Sequence, residues 1–294
     1  MRRLSRIRLA AIGSALACAL ALVPMMPASA HTERESPPAK NYLVLGDSVP
    51  FGFNPLLLAA GVLTPSAYIG FPEVWDAAPR PNLNVVNASC PGETSTSLIT
   101  GNAADDNGCQ LYRQASGGVH VQYGGTQLAY AKSYLAAHPR TKSVTVMIGA
   151  NDLLKLQGAC LSAPGDIATC IGTGLPAVLG TLQANLTTIY GGLRQQGYRG
   201  DFVAVSYYST DYRNPLTTQS IAAVNAVLAG VTTSFGGHVA DGFGAFQTAA
   251  LAYGGDTCAA GLLIRFSATT CDIHPSRVGA DLLAATVRSA GRES

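Results

Sequence analysis

Charge is scarce in this chain of 294 residues. Asp, Glu, Lys and Arg together make up 12%, about half the usual share. No block of like charge occurs, so a basic face for nucleic acid and a charged, unfolded tail are both excluded. The sequence has no C-x-x-C pair, and its cysteines are spaced too widely and unevenly for the usual zinc-ligand patterns, so no metal is expected. It has no G-x-S-x-G, which argues against the nucleophile elbow of α/β-hydrolases. Mean hydropathy is positive (+0.22). Yet no segment after residue 30 reaches membrane-spanning length without a Gly, Pro or polar break.

What apolar length there is lies at the start. Arg2, Arg3, Arg6 and Arg8 precede an apolar stretch from Leu9 to Met26, and Ala28-Ser29-Ala30 supplies small residues for cleavage. Residues 1–30 therefore read as a secretory signal peptide cleaved after Ala30. Gly13, Ser14, Pro24 and Pro27 break the run too often for an anchor helix. Arg2-Arg3 hints at twin-arginine export, but the surrounding pattern favours the general secretory route. Cleavage removes four basic residues and no acidic one, leaving 15 against 17 and a net charge of −2. A secreted, extracellular protein is expected.

Cleavage also removes Cys18, leaving Cys90, Cys109, Cys160, Cys170, Cys258 and Cys271. An even count in an exported chain implies disulfides, with 15 pairings open. Short loops close at the least entropic cost, which favours Cys90–Cys109, Cys160–Cys170 and Cys258–Cys271.

Residues 31–40 are polar, contain Pro37-Pro38, and read as a flexible leader. Beyond them, short β-rich runs at 41–45, 83–86, 143–148, 202–205 and 239–241 alternate with helix-like stretches at 124–137, 175–196, 217–233, 243–253 and 276–290. In 175–196 the apolar residues Leu175, Val178, Leu179, Leu182, Leu186, Ile189 and Leu193 recur at helical spacing. Alternation of this kind predicts an α/β fold around a parallel sheet of about five strands, with one domain over 41–294. Ligands of such sheets bind at the carboxyl ends of the strands. Three polar clusters fall there: Gly46-Asp47-Ser48, the stretch 87–94, and Gly149-Ala150-Asn151-Asp152.

Ser48 follows a strand and precedes Gly52, so its hydroxyl would be exposed at a strand-to-helix turn; a helix cap is the plainer reading of Asp-Ser there. A serine nucleophile needs a base. Five histidines remain: His31 in the leader, His138 at a helix end, His120 and His238 after Gly-Gly steps with no carboxylate close in sequence, and His274. His274 stands out, because Asp272-Ile273-His274-Pro275-Ser276 precedes the last helix and Pro275 suits its first turn. Acyl transfer also needs donors for a developing oxyanion. Gly92 can bring a backbone N–H close to a ligand, and Asn151 offers a side-chain amide just past a buried strand. Turn formation at Pro91-Gly92 and helix capping at Asn151 are the bland alternatives. With an acid or a carbonyl two residues before His274 to orient its ring, the residues together make a nucleophile, a base, an orienter and two oxyanion donors.

Gly46-Asp47-Ser48, Gly92 in Asn-x-x-x-Pro-Gly-x-Thr, Gly149-x-Asn151-Asp152 and His274 resemble, in order and spacing, the four blocks of the SGNH (GDSL-type) hydrolase superfamily. The likeness runs from about residue 42 to 288 and is closest to secreted bacterial esterases, lipases and phospholipases. It implies a flavodoxin-like three-layer α/β/α sandwich and metal-free hydrolysis of acyl esters without a cofactor. It also implies Ser48 as nucleophile, His274 as base, and an oxyanion hole from the Ser48 N–H, the Gly92 N–H and the Asn151 amide.

Two features depart from that pattern. Val49 stands where Leu is common. The triad acid usually lies three residues before the histidine, where this chain has Cys271; Asp272 is two before. Either the Asp272 carboxylate turns to His274 or a main-chain carbonyl orients the ring. The stretch 49–70, rich in Phe, Leu and Ala, reads as an acyl-chain wall or flap, or as packing of the first helix. With Trp75 the one tryptophan, lipid esters are favoured over acetylated sugars. A carbohydrate O-deacetylase and a non-catalytic binding protein on the same fold are the alternatives. The expected partners are a small-molecule or lipid ester, with transient contact to lipid surfaces, and the chain is expected to act as a monomer.

Overall fold

The computed structural model describes residues 40–77, 83–115 and 118–291. The signal segment 1–30 and the leader, with His31, lie outside the described residues apart from Lys40, which opens the first strand instead of closing the leader. The five β-rich runs form the central sheet: β1 (Lys40–Gly46), β2 (Leu83–Asn87), β3 (Ser143–Met147), β4 (Asp201–Val205) and β5 (His238–Ala240). Their order is β2-β1-β3-β4-β5 and every pairing is parallel. Tyr42 pairs with Val85 on one side and Ser143 on the other. The chain thus reverses its direction of progress at β1 and β3, the point where such sheets open a crevice. Every residue of β3 is buried, which requires cover on both faces of the sheet.

Helices supply that cover. In chain order they are α1 (Ser48–Phe51), α2 (Pro55–Ala59), α3 (Phe71–Asp76), α4 (Ser97–Thr100), α5 (Cys109–Ala115), α6 (Gln127–Ala137), α7 (Ala150–Ser162), α8 (Ile167–Gln195), α9 (Pro215–Ser234), α10 (Gly242–Ala250) and α11 (Arg277–Ala290). α3 packs on α11, which also meets α10, β4 and β5; α8 packs against α6, α7 and α9. The result is an α/β/α sandwich. Leu43, Leu45, Val144, Val146, Phe202, Leu182, Leu186, Ile189 and Leu283 lie in its core.

α8 is longer than its apolar stripe predicts. Asp166 caps it by accepting from the Thr169 N–H at 2.8 Å, and the Cys160–Cys170 disulfide ties its first turn to the end of α7. The helix continues through Pro176, although an interior proline forfeits a backbone hydrogen bond. By length and composition α8 could cross a membrane, but Leu182, Leu186, Ile189 and Leu193 are fully buried against the sheet and its neighbours. α7 had no clear periodic signal, since only Asn151, Leu153 and Cys160 of its residues are buried.

The other correction concerns the C-terminal region. β6 (Leu263–Arg265) and β7 (Cys271–Pro275) form an antiparallel hairpin. Pro275 ends β7 and is not part of the last helix; Ser276 caps α11, its side chain accepting from the Gly279 N–H. Cys90–Cys109 and Cys258–Cys271 are bonded as well, and the latter holds the first residue of β7.

Candidate active site

The strand ends place the site. β1 stops at Gly46, where an added Cβ would sit 2.2 Å from the Met147 carbonyl of β3, so only glycine allows the chain to turn there. Gln127 clasps that turn: its Oε1 accepts from the Gly46 N–H at 2.7 Å and its Nε2 donates to the Gly46 carbonyl at 3.0 Å. Asp47 then caps α1, accepting from the Val49 N–H at 3.0 Å. Ser48 is the first residue of α1, so its N–H is among those a helix start leaves without an intrahelical partner.

His274 reaches this point from β7. Its Nε2 lies 2.8 Å from Ser48 Oγ, while its Nδ1 faces Asp272 Oδ1 in a close contact. The same carboxylate oxygen accepts from the His274 backbone N–H at 3.0 Å. The side chain of Asp272, not a main-chain carbonyl, therefore meets the ring. Burial works to raise the Asp272 carboxyl, but the hydrogen bonds and charge of His274 outweigh it and hold it below the ordinary carboxylate range. Tyr208 donates to the Ile273 carbonyl at 2.7 Å, and the Phe53 ring packs on His274 with centroids 5.0 Å apart. The imidazole is thus held from both sides of the chain and is buried.

Gly92 and Asn151 come to the same crevice. Gly92 adopts φ +84°, the left-handed region, and a Cβ there would lie 2.5 Å from the Asn107 carbonyl. Asn151, in the first turn of α7, donates through Nδ2 to the Glu93 carbonyl at 3.0 Å, with Asp47 Oδ2 at 3.4 Å. Asp152 serves differently. It accepts from the Ser95 N–H at 2.9 Å and from the Ser95 hydroxyl, fastening the loop after β2 to α7.

Two buried carboxyl groups, Asp47 and Glu93, lie beneath these residues; the sequence places both in the strand-end clusters but gives neither a role of its own. Asp47 accepts from the Tyr207 hydroxyl at 2.5 Å; burial pushes it up to about 6 despite that bond. Glu93 accepts from Gln127 Nε2 at 2.9 Å and from the Ser97 hydroxyl; burial pushes it up to about 7. Cys90 and Cys109 stand beside Glu93 in a group with metal-ligand spacing, but their sulfurs are bonded to each other and offer no thiolate. His120 does have a carboxylate near it: its Nε2 lies 3.6 Å from Glu73 Oε1 and 3.0 Å from the Phe51 carbonyl. His138 turns Nδ1 to the Tyr134 carbonyl at 2.9 Å, at the end of α6, and His238 opens β5.

Ser48, Gly92, Asn151 and His274 border a cleft of about 390 Å³ whose further walls include Phe53, Leu58, Leu63, Leu111, Tyr112 and Ile273. A second cavity of about 130 Å³ shares Ser48, Asn151 and His274 and adds Gln157, Tyr207, Thr210 and Thr217. The stretch 49–70 therefore divides its work. Phe51 and Tyr68 are fully buried, while Phe53, Leu58 and Leu63 face the cleft. A hydroxyl on an oriented imidazole, beside N–H donors and an apolar trough, can attack a carbonyl and hold the resulting negative charge.

A family model described as "GDSL-like Lipase/Acylhydrolase family" matches residues 44–282. Among solved structures, an extracellular lipase from Streptomyces rimosus is similar at 18% identity and TM-score 0.50, covering 86% of this chain and 100% of that one. Phospholipase A1 from Streptomyces albidoflavus is similar at 16% identity and TM-score 0.54, covering 86% and 99%. Axe2, an acetylxylan esterase from Geobacillus stearothermophilus, is similar at 15% identity and TM-score 0.51, covering 86% and 94%. At these identities the likeness is one of fold. No protein with a curated description matches the sequence.

Proposed function

The chain belongs to the GDSL-like lipase/acylhydrolase family, and from that premise we propose that it is a secreted serine hydrolase of carboxylic esters whose substrates are lipid esters. The observation that carries the catalytic reading is the 2.8 Å approach of His274 Nε2 to Ser48 Oγ, with the Asp272 carboxylate on the far side of the ring. His274 takes the hydroxyl proton as Ser48 Oγ bonds to the ester carbonyl carbon. The carbonyl oxygen becomes an oxyanion, held by the Ser48 N–H, the Gly92 N–H and the Asn151 amide. As the carbon–alkoxy bond breaks, His274 gives its proton to the departing alcohol. Water then adds to the acyl-enzyme through the same base, and the acid leaves with Ser48 restored.

The cleft supports a lipid acyl chain. Leu58, Leu63, Leu111 and Ile273 line it while remaining 38%, 41%, 70% and 44% exposed, so apolar surface continues from the trough to the rim. The stretch 48–72 contains no charged residue. An apolar rim around an apolar trough suits transient contact with a lipid surface. The smaller cavity, whose walls include Gln157, Thr210 and Thr217, suits the alcohol half of the ester. Three disulfides and the signal-like residues 1–30 support export.

A fluorophosphonate probe and a p-nitrophenyl ester series test the reading. Labelling and hydrolysis should both vanish in Ser48→Ala while its Tm is kept, and rates should rise from acetate to longer acyl chains. Retained hydrolysis in Ser48→Ala overturns the nucleophile, and a preference for acetylated sugars overturns the substrate class.

A further inference from the structure

An oxyanion hole built on a side-chain amide has a weakness: the amide can turn over and offer its oxygen to the oxyanion. Asn151 is held against this by a residue outside the family's blocks. Asn107 Nδ2 donates to Asn151 Oδ1 at 2.9 Å, the one donor on that oxygen among the described residues, while Asn151 Nδ2 faces two acceptors, the Glu93 carbonyl at 3.0 Å and Asp47 Oδ2 at 3.4 Å. A donor at one end and acceptors at the other allow one orientation of the amide, with Oδ1 toward Asn107 and Nδ2 toward the Glu93 carbonyl.

Asn107 also holds the other donor. Its backbone N–H donates to the Gly92 carbonyl at 2.7 Å, and its own carbonyl lies where any side chain on Gly92 would project. Asn107 itself borders the cleft. Its position is secured on both sides in sequence. Lys155 Nζ, from α7, donates to the carbonyls of Ala104, Asp105 and Asp106 at 2.9, 3.0 and 3.0 Å. Cys109 is bonded to Cys90. One loop residue, pinned by an ammonium group before it and a disulfide after it, thus touches both Gly92 and Asn151.

We propose that Asn107 is the positioning residue of the oxyanion hole, fixing the orientation of the Asn151 amide and the placement of the Gly92 N–H. The proposal rests on the assignment of Asn151 as an oxyanion donor. An aspartate at 107 keeps the shape and the backbone bond to Gly92, but its carboxylate accepts and does not donate. Asn151 then turns Nδ2 toward position 107 and presents its oxygen to the oxyanion.

The test is a double-mutant cycle of Asn107→Asp and Asn151→Ala, read as kcat and KM on a short p-nitrophenyl ester, with Tm measured for each variant. Asn107→Asp should lower kcat by roughly 10-fold or more with KM nearly unchanged, as expected for loss of transition-state stabilisation alone. In the Asn151→Ala background the same change should cost less than about twofold, because the amide it orients is gone. Losses that multiply in the double variant, or an unchanged kcat in Asn107→Asp, overturn the proposal. Full activity in Asn151→Ala overturns the underlying donor assignment instead. Should the aspartate variant fail to fold, Asn107→Ser, neutral and too short to reach Asn151, gives the same comparison and must also lower kcat only where Asn151 is present.

Discussion

Asp272 turns its carboxylate forward along its own strand to meet both the backbone N–H and the Nδ1 of His274, two residues on. Side chains two apart on a strand share a face, so β7 can carry acid and base together without help from another element. Asp272→Asn should therefore lower kcat by about 10²–10⁴-fold, because an amide does not stabilise the imidazolium and permits the wrong tautomer. Asp272→Ala should lose as much. Steady-state kinetics decide it: a small loss in both variants would mean that a main-chain carbonyl orients the ring.

The Cys258–Cys271 bond fastens the residue just before Asp272, whereas Cys160–Cys170 joins the far end of α7 to α8, about two and a half helical turns beyond Asn151. Their sequence separations of 13 and 10 residues correspond to a contribution of about 3 kcal/mol each. The paired variant Cys258→Ser/Cys271→Ser should lose stability and, at temperatures where it is still folded, also lose kcat. Cys160→Ser/Cys170→Ser should lose stability alone. Thermal melts and kinetics on the two proteins separate the cases, and equal effects on kcat would remove the special role of the hairpin.

Gly92 is bound to glycine twice over, by φ +84° and by the Asn107 carbonyl 2.5 Å from a Cβ position. Gly92→Ala should cost about 1–2 kcal/mol from the left-handed backbone alone. Its kcat should fall more than tenfold as the N–H is displaced from the oxyanion. A folded Gly92→Ala with normal kcat would show that this N–H does not serve the reaction.

These sites differ in how far the sequence discloses them. Parallel strands buried on both faces are near-continuous apolar runs, so β1, β3 and β4 stand out, and the polar residues that interrupt them mark the crevice. Ser48, Asn151 and His274 are legible for that reason. The orientation of Asp272 is not, because a spacing of two serves a carboxylate or a carbonyl equally well until the backbone is known to be extended. Asn107 sits in Asn-Ala-Ala-Asp-Asp-Asn-Gly, which reads as turn chemistry, and what gives it a role is Lys155 and Asn151 arriving from α7. Glu73 and His120 meet across a similar distance in sequence. Long-range pairs of polar side chains leave no periodicity to detect.

Glu93 makes stability depend on pH in a direction opposite to that of an ordinary surface carboxylate. Its folded carboxyl keeps its proton up to about pH 7, while the unfolded chain releases it near the ordinary 4.5. The folded state therefore binds more protons between those values, and stability falls as pH rises across that window. Asp47, pushed up to about 6 from 3.8, adds in the same sense. Glu93→Gln can accept from Gln127 and donate to Ser97 at any pH, so its Tm should be higher than the parent's at pH 8 and should decline less between pH 5 and 8. A variant whose Tm falls as steeply as the parent's would move the titration to another group.

The apolar rim makes a prediction that separates chemistry from substrate delivery. Leu111 is 70% exposed and still borders the cleft, so a charge there costs little folding energy but sits where an acyl chain and a lipid surface would meet the protein. Leu111→Asp should leave hydrolysis of p-nitrophenyl acetate within about twofold, since an exposed site tolerates the change. Hydrolysis of long-chain esters and of phosphatidylcholine vesicles should fall by about tenfold or more, as burial of several CH₂ groups at about 0.8 kcal/mol each is lost. Leu161→Asp on α7, 73% exposed and not a wall of the cleft, is the control and should change neither. If Leu111→Asp slows short and long esters alike, the rim acts through the catalytic groups. If it slows neither, the acyl chain leaves the cleft by another path, and the smaller cavity beside Gln157 and Thr217 becomes the acyl site.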